Sequence, residues 1–306
     1  MSKKIATTIG ITAYNEQANI KNLLRSLLEQ KGNNFLLKKI IVISDGSTDK
    51  TVTEVNAIKD SRVQLVIGKT RKGQSTRQNE VLRKADTEIL ILLDADVLPA
   101  KTDFVSQMIC AYKRKPNIGL VGASIKPTYS TKLLGKVLSW HMKWKNNLYR
   151  NIKQSNNIYL CHGRARAFSK PFYKQLKWPK MWSEDAYSYL ENKRLGFNFV
   201  FAPKAAVYYQ SPESVSDHLR QSKRFLSNSQ VLSNFYDKET LTEAFYLPKS
   251  LFLKKVVEGI ITHPFYASAY IALFIYSFLQ AKIPFFRPKQ DTAIWEPSIS
   301  TKTVNI

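Results

Sequence analysis

Two carboxylates, Asp94 and Asp96, follow directly after an unbroken apolar run at residues 89–93. A short run of this kind is typical of a strand that is buried on both faces, as in a parallel sheet. Because residues two apart in an extended chain point the same way, both carboxylates can face one hard cation. Ligands of open α/β sheets bind at the carboxyl ends of strands, where these residues are expected. A solvated acidic turn is the alternative for this stretch alone.

Three further polar clusters occupy comparable places in the chain. Asn15-Glu16 and Asp45-Gly46 follow predicted strands, and Glu184-Asp185 opens a predicted helix. Each cluster alone has an ordinary explanation, either as a turn or as an acidic helix N-terminus. Together they place several carboxylates around one edge of a sheet, where their mutual repulsion is costly without a cation.

The elements that must position these clusters alternate between strand and helix. Apolar, β-rich runs predict strands at residues 7–14, 39–43, 63–67, 88–93 and 118–123. Apolar residues at helical spacing predict helices between these strands. The alternation predicts an α/β fold with a parallel sheet and right-handed crossovers, so that the polar clusters meet at one edge.

The charge of the chain indicates an anionic partner. Its 306 residues carry a formal net charge of +24, and 44% of them are hydrophobic, which supports a substantial core. Residues 104–183 contain no Asp or Glu, whereas residues 113–180 contain 16 Lys and Arg. Nucleic acid, anionic lipid and phosphorylated substrates all fit such a charge, although a nucleic-acid binder needs no boundary this sharp. Cys110 and Cys161 predict free thiols rather than a disulfide framework or a zinc site.

Two segments in the second half have the composition of membrane-facing helices. Residues 133–152 mix aromatic and basic residues, which fits a membrane interface or a helix packed on the sheet. Residues 260–281 contain no Asp, Glu, Lys or Arg. As one helix they would measure about 33 Å, against a hydrocarbon core of ~30 Å. Pro264 divides the run and basic residues flank it on both sides, so we predict a monotopic, in-plane or re-entrant anchor. A single-pass span and a buried helix are the alternatives.

Five short motifs, taken in order within residues 5–235, resemble those of family 2 glycosyltransferases with the GT-A fold. They are residues 11–16 (ITAYNE), 44–49 (SDGSTD), 72–79 (KGQSTRQN), 94–96 (DAD) and 184–185 (ED). The resemblance implies an α/β GT-A fold, with a single, mostly parallel Rossmann-like sheet flanked by helices and with C-terminal membrane-associated helices. It also implies a catalytic domain at residues 1–245, a membrane-associated helical segment at 246–283 and a C-terminal tail at 284–306.

The resemblance assigns the donor site residue by residue. The 94–96 motif matches the family's DXD motif, so Asp94 and Asp96 are expected to hold Mg²⁺ or Mn²⁺ against the two phosphates of the donor. Asp185 of the ED motif is the expected catalytic base, which takes the proton of the acceptor hydroxyl. The implied donor and substrate contacts are Ala13, Tyr14, Asn15, Glu16, Asp45, Lys72, Asn79, Asp94 and Glu184.

Residues 221–225 (QSKRF) resemble the QxxRW motif of processive cellulose, chitin and hyaluronan synthases. This likeness adds Gln221 and Arg224 to the implied substrate site. Phe225 stands where that motif has Trp, and the departure weakens the processive interpretation. Residues 295–302 resemble a tail that follows the membrane segment in some family members.

The acceptor site is implied near residues 161–166, where the family places part of it. Arg164 and Arg166 are expected to contact the acceptor, because guanidinium groups suit phosphate. His162 in the same stretch is more typical of a structural histidine. Trp182, just before the ED motif, is expected either to stack on a sugar or to belong to the core.

The implied activity is inverting transfer of a sugar from a nucleoside-diphosphate sugar, a UDP-sugar by default, to a lipid-linked or polysaccharide acceptor. The expected partners are the nucleotide-sugar donor, the lipid-linked or glycan acceptor and an anionic membrane surface, and not nucleic acid. The expected location is the cytoplasmic face of the cell membrane. The alternatives are a non-catalytic basic module that binds anionic membrane or nucleic acid, and a nucleotidyltransferase of similar architecture. The basic module leaves the carboxylate clusters unexplained, since they would repel a polyanion.

Overall fold

The computed structural model describes residues 3–282, residue 294 and residues 299–304. Within this part of the chain, eight strands form one sheet. In chain order they are β1 (Ile5–Ala13), β2 (Phe35–Ser44), β3 (Val63–Ile67), β4 (Ile89–Asp94), β5 (Val97–Pro99), β6 (Ile118–Pro127), β7 (Ala165–Ser169) and β8 (Asn198–Tyr209). Their order across the sheet is β3-β2-β1-β4-β7-β6-β8-β5, which puts β4 near the centre.

The sheet is mixed, which corrects the prediction of a mostly parallel one. β3, β2, β1 and β4 run parallel to one another, as the alternation of strands and helices predicted. β7 then pairs antiparallel with both β4 and β6, and β5 pairs antiparallel with β8, whereas β6 and β8 are parallel. The apolar run of a buried strand carries no information about its direction, so the sequence pattern could not distinguish the two arrangements.

Eleven α-helices accompany the sheet in the described residues. They are α1 (Ile20–Leu28), α2 (Thr51–Asn56), α3 (Gln74–Lys84), α4 (Phe104–Ala111), α5 (Leu133–Arg150), α6 (Lys170–Tyr173), α7 (Glu184–Arg194), α8 (Val215–Leu232), α9 (Lys238–Ala244), α10 (Lys249–Thr262) and α11 (Pro264–Lys282). Side chains of α1 and α4 belong to one hydrophobic core, and side chains of α3, α6 and α7 belong to a second. The sheet lies between these two cores.

β4 is buried on both faces, as its apolar run predicted. Ile89, Ile91 and Leu93 belong to the core of α1 and α4, whereas Leu90 and Leu92 belong to the core of α3 and α7. All five side chains are at most 5% exposed. Because both faces of this central strand are packed, the backbone of Asp94 at its end is held in place by the two cores.

The last helices pack against one another and against α5. α11 contacts α5, α8 and α10. Nε1 of Trp144 in α5 donates a hydrogen bond to the carbonyl oxygen of Lys255 at 2.8 Å, and the ring of His141 stacks on Tyr270. α10 ends at Thr262 and α11 begins at Pro264, so the apolar run is divided where its proline predicted.

Among the described helices, none combines the length and the apolar character that crossing a membrane requires. Association with a membrane surface and the domain boundaries at residues 245 and 283 stay predictions. The Trp295 portion of the predicted tail lies outside the described residues, whereas residues 299–304 are described.

Candidate active site

A cavity of about 240 Å³ lies at the carboxyl ends of β1, β2 and β4. The structure brings most of the polar clusters together there. Of the sixteen predicted site residues, those that line the cavity are Ala13, Tyr14, Glu16, Asp45, Asp94, Asp96, Arg164, Trp182, Glu184, Asp185, Gln221 and Arg224.

Three carboxylates crowd the part of this cavity beside β4. The Asp94 carboxylate accepts a hydrogen bond from Nε2 of Gln74 at 2.8 Å. Burial, and then the charge of Asp96, raise the pKa of Asp94 to about 6. The same two causes raise the pKa of Glu16 to about 8, although Lys302 opposes them. Carboxylates placed in this way disfavour one another's ionised form unless a cation joins them.

The side chains at the end of β4 fit a hard divalent cation without completing its coordination. Asp94 and Asp96 supply carboxylate oxygens, which Mg²⁺ and Mn²⁺ prefer. Among the residues that the structure describes, no group of three or more His, Cys, Asp or Glu is placed to hold a metal ion. Mg²⁺ is commonly held by one or two carboxylates together with substrate phosphates. The two aspartates therefore fit a cation that binds jointly with a diphosphate.

Glu184 and Asp185 reach the same cavity from the first turn of α7. Glu184 is buried, and Nη2 of Arg166 lies 3.8 Å from its Oε1. Burial, and then the charge of Asp185, raise the pKa of Glu184 to about 8 against the opposing charge of Arg166. Glu184 is therefore mostly protonated at neutral pH. The Asp185 carboxylate accepts a hydrogen bond from the backbone N–H of Ala186 at 2.7 Å.

Asp45, which follows β2, holds the loop that leads into α3. Its carboxylate accepts hydrogen bonds from the backbone N–H of Lys72 at 2.7 Å and of Gly73 at 2.9 Å. Nε of the buried Arg77 donates a third at 2.7 Å. Gly73 has a φ of +87°, a conformation that favours glycine. The SDGSTD and KGQSTRQN motifs thus meet through one carboxylate.

Three predicted contacts, Asn15, Lys72 and Asn79, do not line the cavity. Oδ1 of Asn15 accepts a hydrogen bond from the backbone N–H of Thr48 at 2.8 Å, which joins the loops after β1 and β2. Lys72 contributes its backbone N–H to the loop before α3. Asn79 exchanges two hydrogen bonds with the backbone of Trp178, at 2.7 Å and 3.0 Å. The hydrogen bonds of Asn15, Lys72 and Asn79 therefore stabilise the segments around the cavity, and these residues do not form its wall.

Arg166 also lies outside the cavity, which corrects its predicted acceptor role. Its side chain is 0% exposed. Nη1 donates to the carbonyl oxygen of Glu184 at 3.1 Å and to Oγ of Ser188 at 3.0 Å, and Nη2 donates to Oε1 of Gln78 at 3.4 Å. A buried guanidinium needs such partners. Arg166 therefore ties β7 to the start of α7, while Arg164 lines the cavity.

Several polar atoms on the far side of the cavity are buried without a hydrogen-bond partner in the described chain. They are Nε of Arg164, Nε1 of Trp182 and Nε2 of His162. The guanidinium of Arg164 stacks over the ring of Tyr209 at 4.0 Å. Burial, and then the charge of Lys145, lower the pKa of His162 to about 3, so this imidazole is neutral. Buried polar groups of this kind usually have partners, which points to a polar ligand on this side.

Several residues of the cavity were not among the sixteen predicted site residues. The guanidinium of Arg71 lies 3.9 Å above the ring of Tyr14. The ammonium group of Lys302 contacts the Glu16 carboxylate and donates to the carbonyl oxygen of Tyr14 at 2.8 Å. Others in this set are Gln74, Lys145 and Asn228. Two signals were available: Gln74 lies within the 72–79 motif, and Lys302 lies within the stretch at 295–302 that resembles a family tail.

The sequence profile described as "Glycosyl transferase family 2" matches residues 8–177, more than half of the chain. The chain belongs to glycosyl transferase family 2. This membership confirms the predicted family and enzyme class, and it decides against the non-catalytic basic module. The carboxylate clusters thus belong to a glycosyltransferase.

Poly-beta-1,6-N-acetyl-D-glucosamine synthases are among the relatives of this family 2 member. The synthase of Staphylococcus aureus is 28% identical over 131 residues, which are 42% of this chain and 31% of the relative. The synthase of Staphylococcus epidermidis is 24% identical over 222 residues, which are 70% of this chain and 52% of the relative. The chain thus matches about half or less of the length of these relatives.

Two solved structures share the fold of this glycosyltransferase. The mannosyltransferase PcManGT from Pyrobaculum calidifontis, in complex with GDP-Man and Mn²⁺, aligns with a TM-score of 0.62 at 18% identity. That alignment covers 93% of this chain and 83% of the other. TarS residues 1–349 from S. aureus, in complex with UDP-GlcNAc, align with a TM-score of 0.57 at 15% identity, covering 90% and 81%. These likenesses confirm an α/β, GT-A-like fold.

Proposed function

We propose that this glycosyltransferase catalyses inverting, metal-dependent transfer of a sugar from a nucleoside-diphosphate sugar, with a UDP-sugar as the first donor to test. The observation that carries the proposal is a single cavity lined both by Asp94 and Asp96 at the end of β4 and by Asp185 at the start of α7. Displacement at an anomeric carbon needs two functions: neutralisation of the leaving diphosphate and a base for the attacking hydroxyl. The two carboxylate clusters supply a group for each.

The donor is proposed to bind along the edge formed by β1, β2 and β4. Asp94 and Asp96 would hold Mg²⁺ or Mn²⁺, which when bound neutralises charge on the leaving diphosphate. Arg224 of α8 lines the same cavity and places a fixed cation there. The stacked pair of Tyr14 and Arg71 offers flat surfaces that suit a nucleotide base.

Asp185 is the proposed base. Its carboxylate takes the proton of the acceptor hydroxyl while the hydroxyl oxygen attacks the anomeric carbon and the nucleoside diphosphate leaves. Glu184 beside it is mostly protonated at neutral pH, so it adds little negative charge that would oppose an incoming diphosphate. A single displacement inverts the anomeric centre and needs no covalent enzyme intermediate.

The acceptor is proposed to approach from the side of Arg164 and Trp182, where buried polar atoms lack partners among the described residues. A lipid-linked or glycan acceptor used at the cytoplasmic face of the cell membrane agrees with the basic charge of this half. Exposed apolar side chains on α10 and α11, including Leu253, Ile261 and Phe265, support contact with a membrane surface.

A thermal-shift titration with UDP and GDP, each with and without Mn²⁺, tests the donor proposal. A ligand at about 100 times its dissociation constant stabilises the folded state by ~2.7 kcal/mol. We expect this shift for one nucleotide in the presence of metal and expect Asp96→Asn to abolish it. Asp86→Asn is the matched control, because it removes the same charge from an exposed side chain outside the cavity. A metal-independent shift, or an equal shift in Asp96→Asn, would contradict the assignment.

A further inference from the structure

A second cavity, of about 430 Å³, adjoins the candidate active site. Its walls come mainly from α5, α8, α10 and α11. The apolar and aromatic residues in these walls include Leu138, Trp144, Phe252, Val256, Tyr270 and Ile271. A volume of this size lies within the range of about 300–1,000 Å³ that is typical of small-molecule sites. The mechanism proposed above uses none of these apolar side chains.

The two cavities share part of their walls. Met142, Lys145, Arg164, Gln221 and Phe225 line both of them. The ammonium group of Lys145 lies 5.9 Å from the ring centroid of Phe225, and no described carboxylate forms an ion pair with it. Its neighbour Arg164 keeps a buried Nε without a hydrogen-bond partner in the described chain. The junction is therefore positive, half-buried and short of anionic partners.

The other end of the second cavity reaches an apolar outer surface. Phe225, Phe252, Ile271 and Phe274 line the cavity and are also 41–58% exposed. The exposed faces of α10 and α11 continue this surface with Leu253, Ile261, Ile275 and Leu279. The second cavity thus lies between an apolar exterior and a cationic junction with the cavity that Asp185 lines.

We propose that the second cavity binds the hydrocarbon chain of a lipid-linked phosphate acceptor, with the phosphate at Lys145 and Arg164. This inference rests on the proposed function and selects the lipid-linked acceptor over the glycan one. A glycan chain would leave its hydroxyl groups unpaired against these walls, whereas a hydrocarbon chain leaves no polar group unsatisfied. The apolar exterior suits entry of such a chain from a membrane surface.

Direct binding tests this proposal without requiring catalysis. Trp140 and Trp144 line the second cavity, so their fluorescence reports its occupancy. The probe is farnesyl phosphate added to the full chain in a non-fluorescent detergent. Farnesol supplies the chain without the charge, and inorganic phosphate supplies the charge without the chain. We expect farnesyl phosphate to bind at least about tenfold more tightly than either one.

Two substitutions on α11 separate the cavity from the outer surface. Ala267 is 4% exposed and lines the cavity, whereas its neighbour Ser268 is exposed. Ala267→Phe should displace about two methylene groups of the chain and weaken binding of farnesyl phosphate about tenfold. Ser268→Phe adds a similar bulk outside the cavity and should leave binding unchanged. Lys145→Met keeps the aliphatic stem, and it should weaken binding of farnesyl phosphate but not of farnesol.

Several results would overturn the inference. Equal affinity for farnesyl phosphate and farnesol would show an apolar site without phosphate recognition. Equal weakening by Ala267→Phe and Ser268→Phe would place the lipid on the outer surface. If Ala267→Phe does not fold, Leu138→Ala is the variant to use, because it enlarges the second cavity. It should change the affinity for farnesyl phosphate and leave the affinity for inorganic phosphate unchanged. Donor hydrolysis with Mn²⁺, measured in parallel, reports the proposed function separately: its absence refutes that function, while the lipid-binding result still decides the cavity.

Discussion

Replacing Arg166 by Met should destabilise the fold, whereas replacing Arg164 by Met should not. The two arginines are two residues apart and both were expected to contact the acceptor. Arg166 is fully buried and donates to Glu184, Ser188 and Gln78. Arg164 is partly exposed, and its stack on Tyr209 is the described contact.

The magnitude follows from these contacts. Each buried acceptor left without its donor costs about 1–3 kcal/mol, so the loss of the three acceptors of Arg166 should cost about 3–5 kcal/mol in total. Such a loss should lower the melting temperature of a chain of this size by about 5–8 °C. A stack of a cation on an aromatic ring at a partly exposed site contributes about 0.5–1 kcal/mol, so Arg164→Met should shift the melting temperature by less than about 3 °C.

Thermal unfolding followed by circular dichroism at neutral pH measures both variants under the same conditions. Arg166→Lys keeps the charge but loses the forked geometry, so it should fall between wild type and Arg166→Met. Equal melting temperatures for Arg166→Met and wild type would refute the positioning role of Arg166. An equal loss in both variants would refute the assignment of Arg164 to the cavity alone. At a temperature where both are folded, Arg164→Met should reduce transfer to the acceptor while donor hydrolysis stays unchanged.

Three more predictions concern the cavity. Asp185→Asn should lower turnover by ~10²–10⁴-fold with little change in donor affinity, and near wild-type turnover would mean that another group is the base. Because the folded-state pKa of Glu184 is about 8 and its ordinary value is 4.5, its contribution to stability is present below pH 4.5 and is lost as the pH rises towards 8. Between pH 4.5 and 8 the melting temperature of Glu184→Gln should therefore fall less steeply than that of the wild type. An equal dependence on pH in both proteins would contradict the raised pKa of Glu184. Lys302→Ala should raise the pKa of Glu16 further and weaken nucleotide binding, as measured by titration calorimetry, and unchanged binding would place Lys302 outside the donor site.

The arrangement of β1 to β4 could be predicted from sequence, because the pattern of each of these strands was compatible with one arrangement in the sheet. The apolar run before Asp94 needed burial on both faces, and β4 between β1 and β7 meets that need. Alternation of strand and helix then required parallel neighbours for β1 to β4. β5 and β7 are short strands without such an apolar run, and no predicted strand covered them, so they could be neither placed nor oriented from sequence.

The site residues divide in a similar way. Each of the five motifs contributes residues to the cavity or to the loops around it, but a motif does not say which groups of its loop face the cavity. Asp45 is held by backbone N–H groups of the 72–73 stretch, so Lys72 acts there through its main chain. Arg164 and Arg166 show the same limit of a motif. The side chain of Arg166 binds the start of α7, whereas that of Arg164 lines the cavity.

Lys302 shows what local reasoning could not reach. It lies 286 positions from Glu16 in sequence, and its neighbour Ser300 is held by the carboxylate of Asp217 in α8. Val304 is buried in the core of α1 and α4, which fixes the segment against the sheet. The carboxylate cluster beside β4 therefore receives one of its cations from a residue that is distant in sequence. Lys302 thus joins the loop that follows β1 to a segment that comes after α11 in the chain, and it places a positive charge in the proposed donor site.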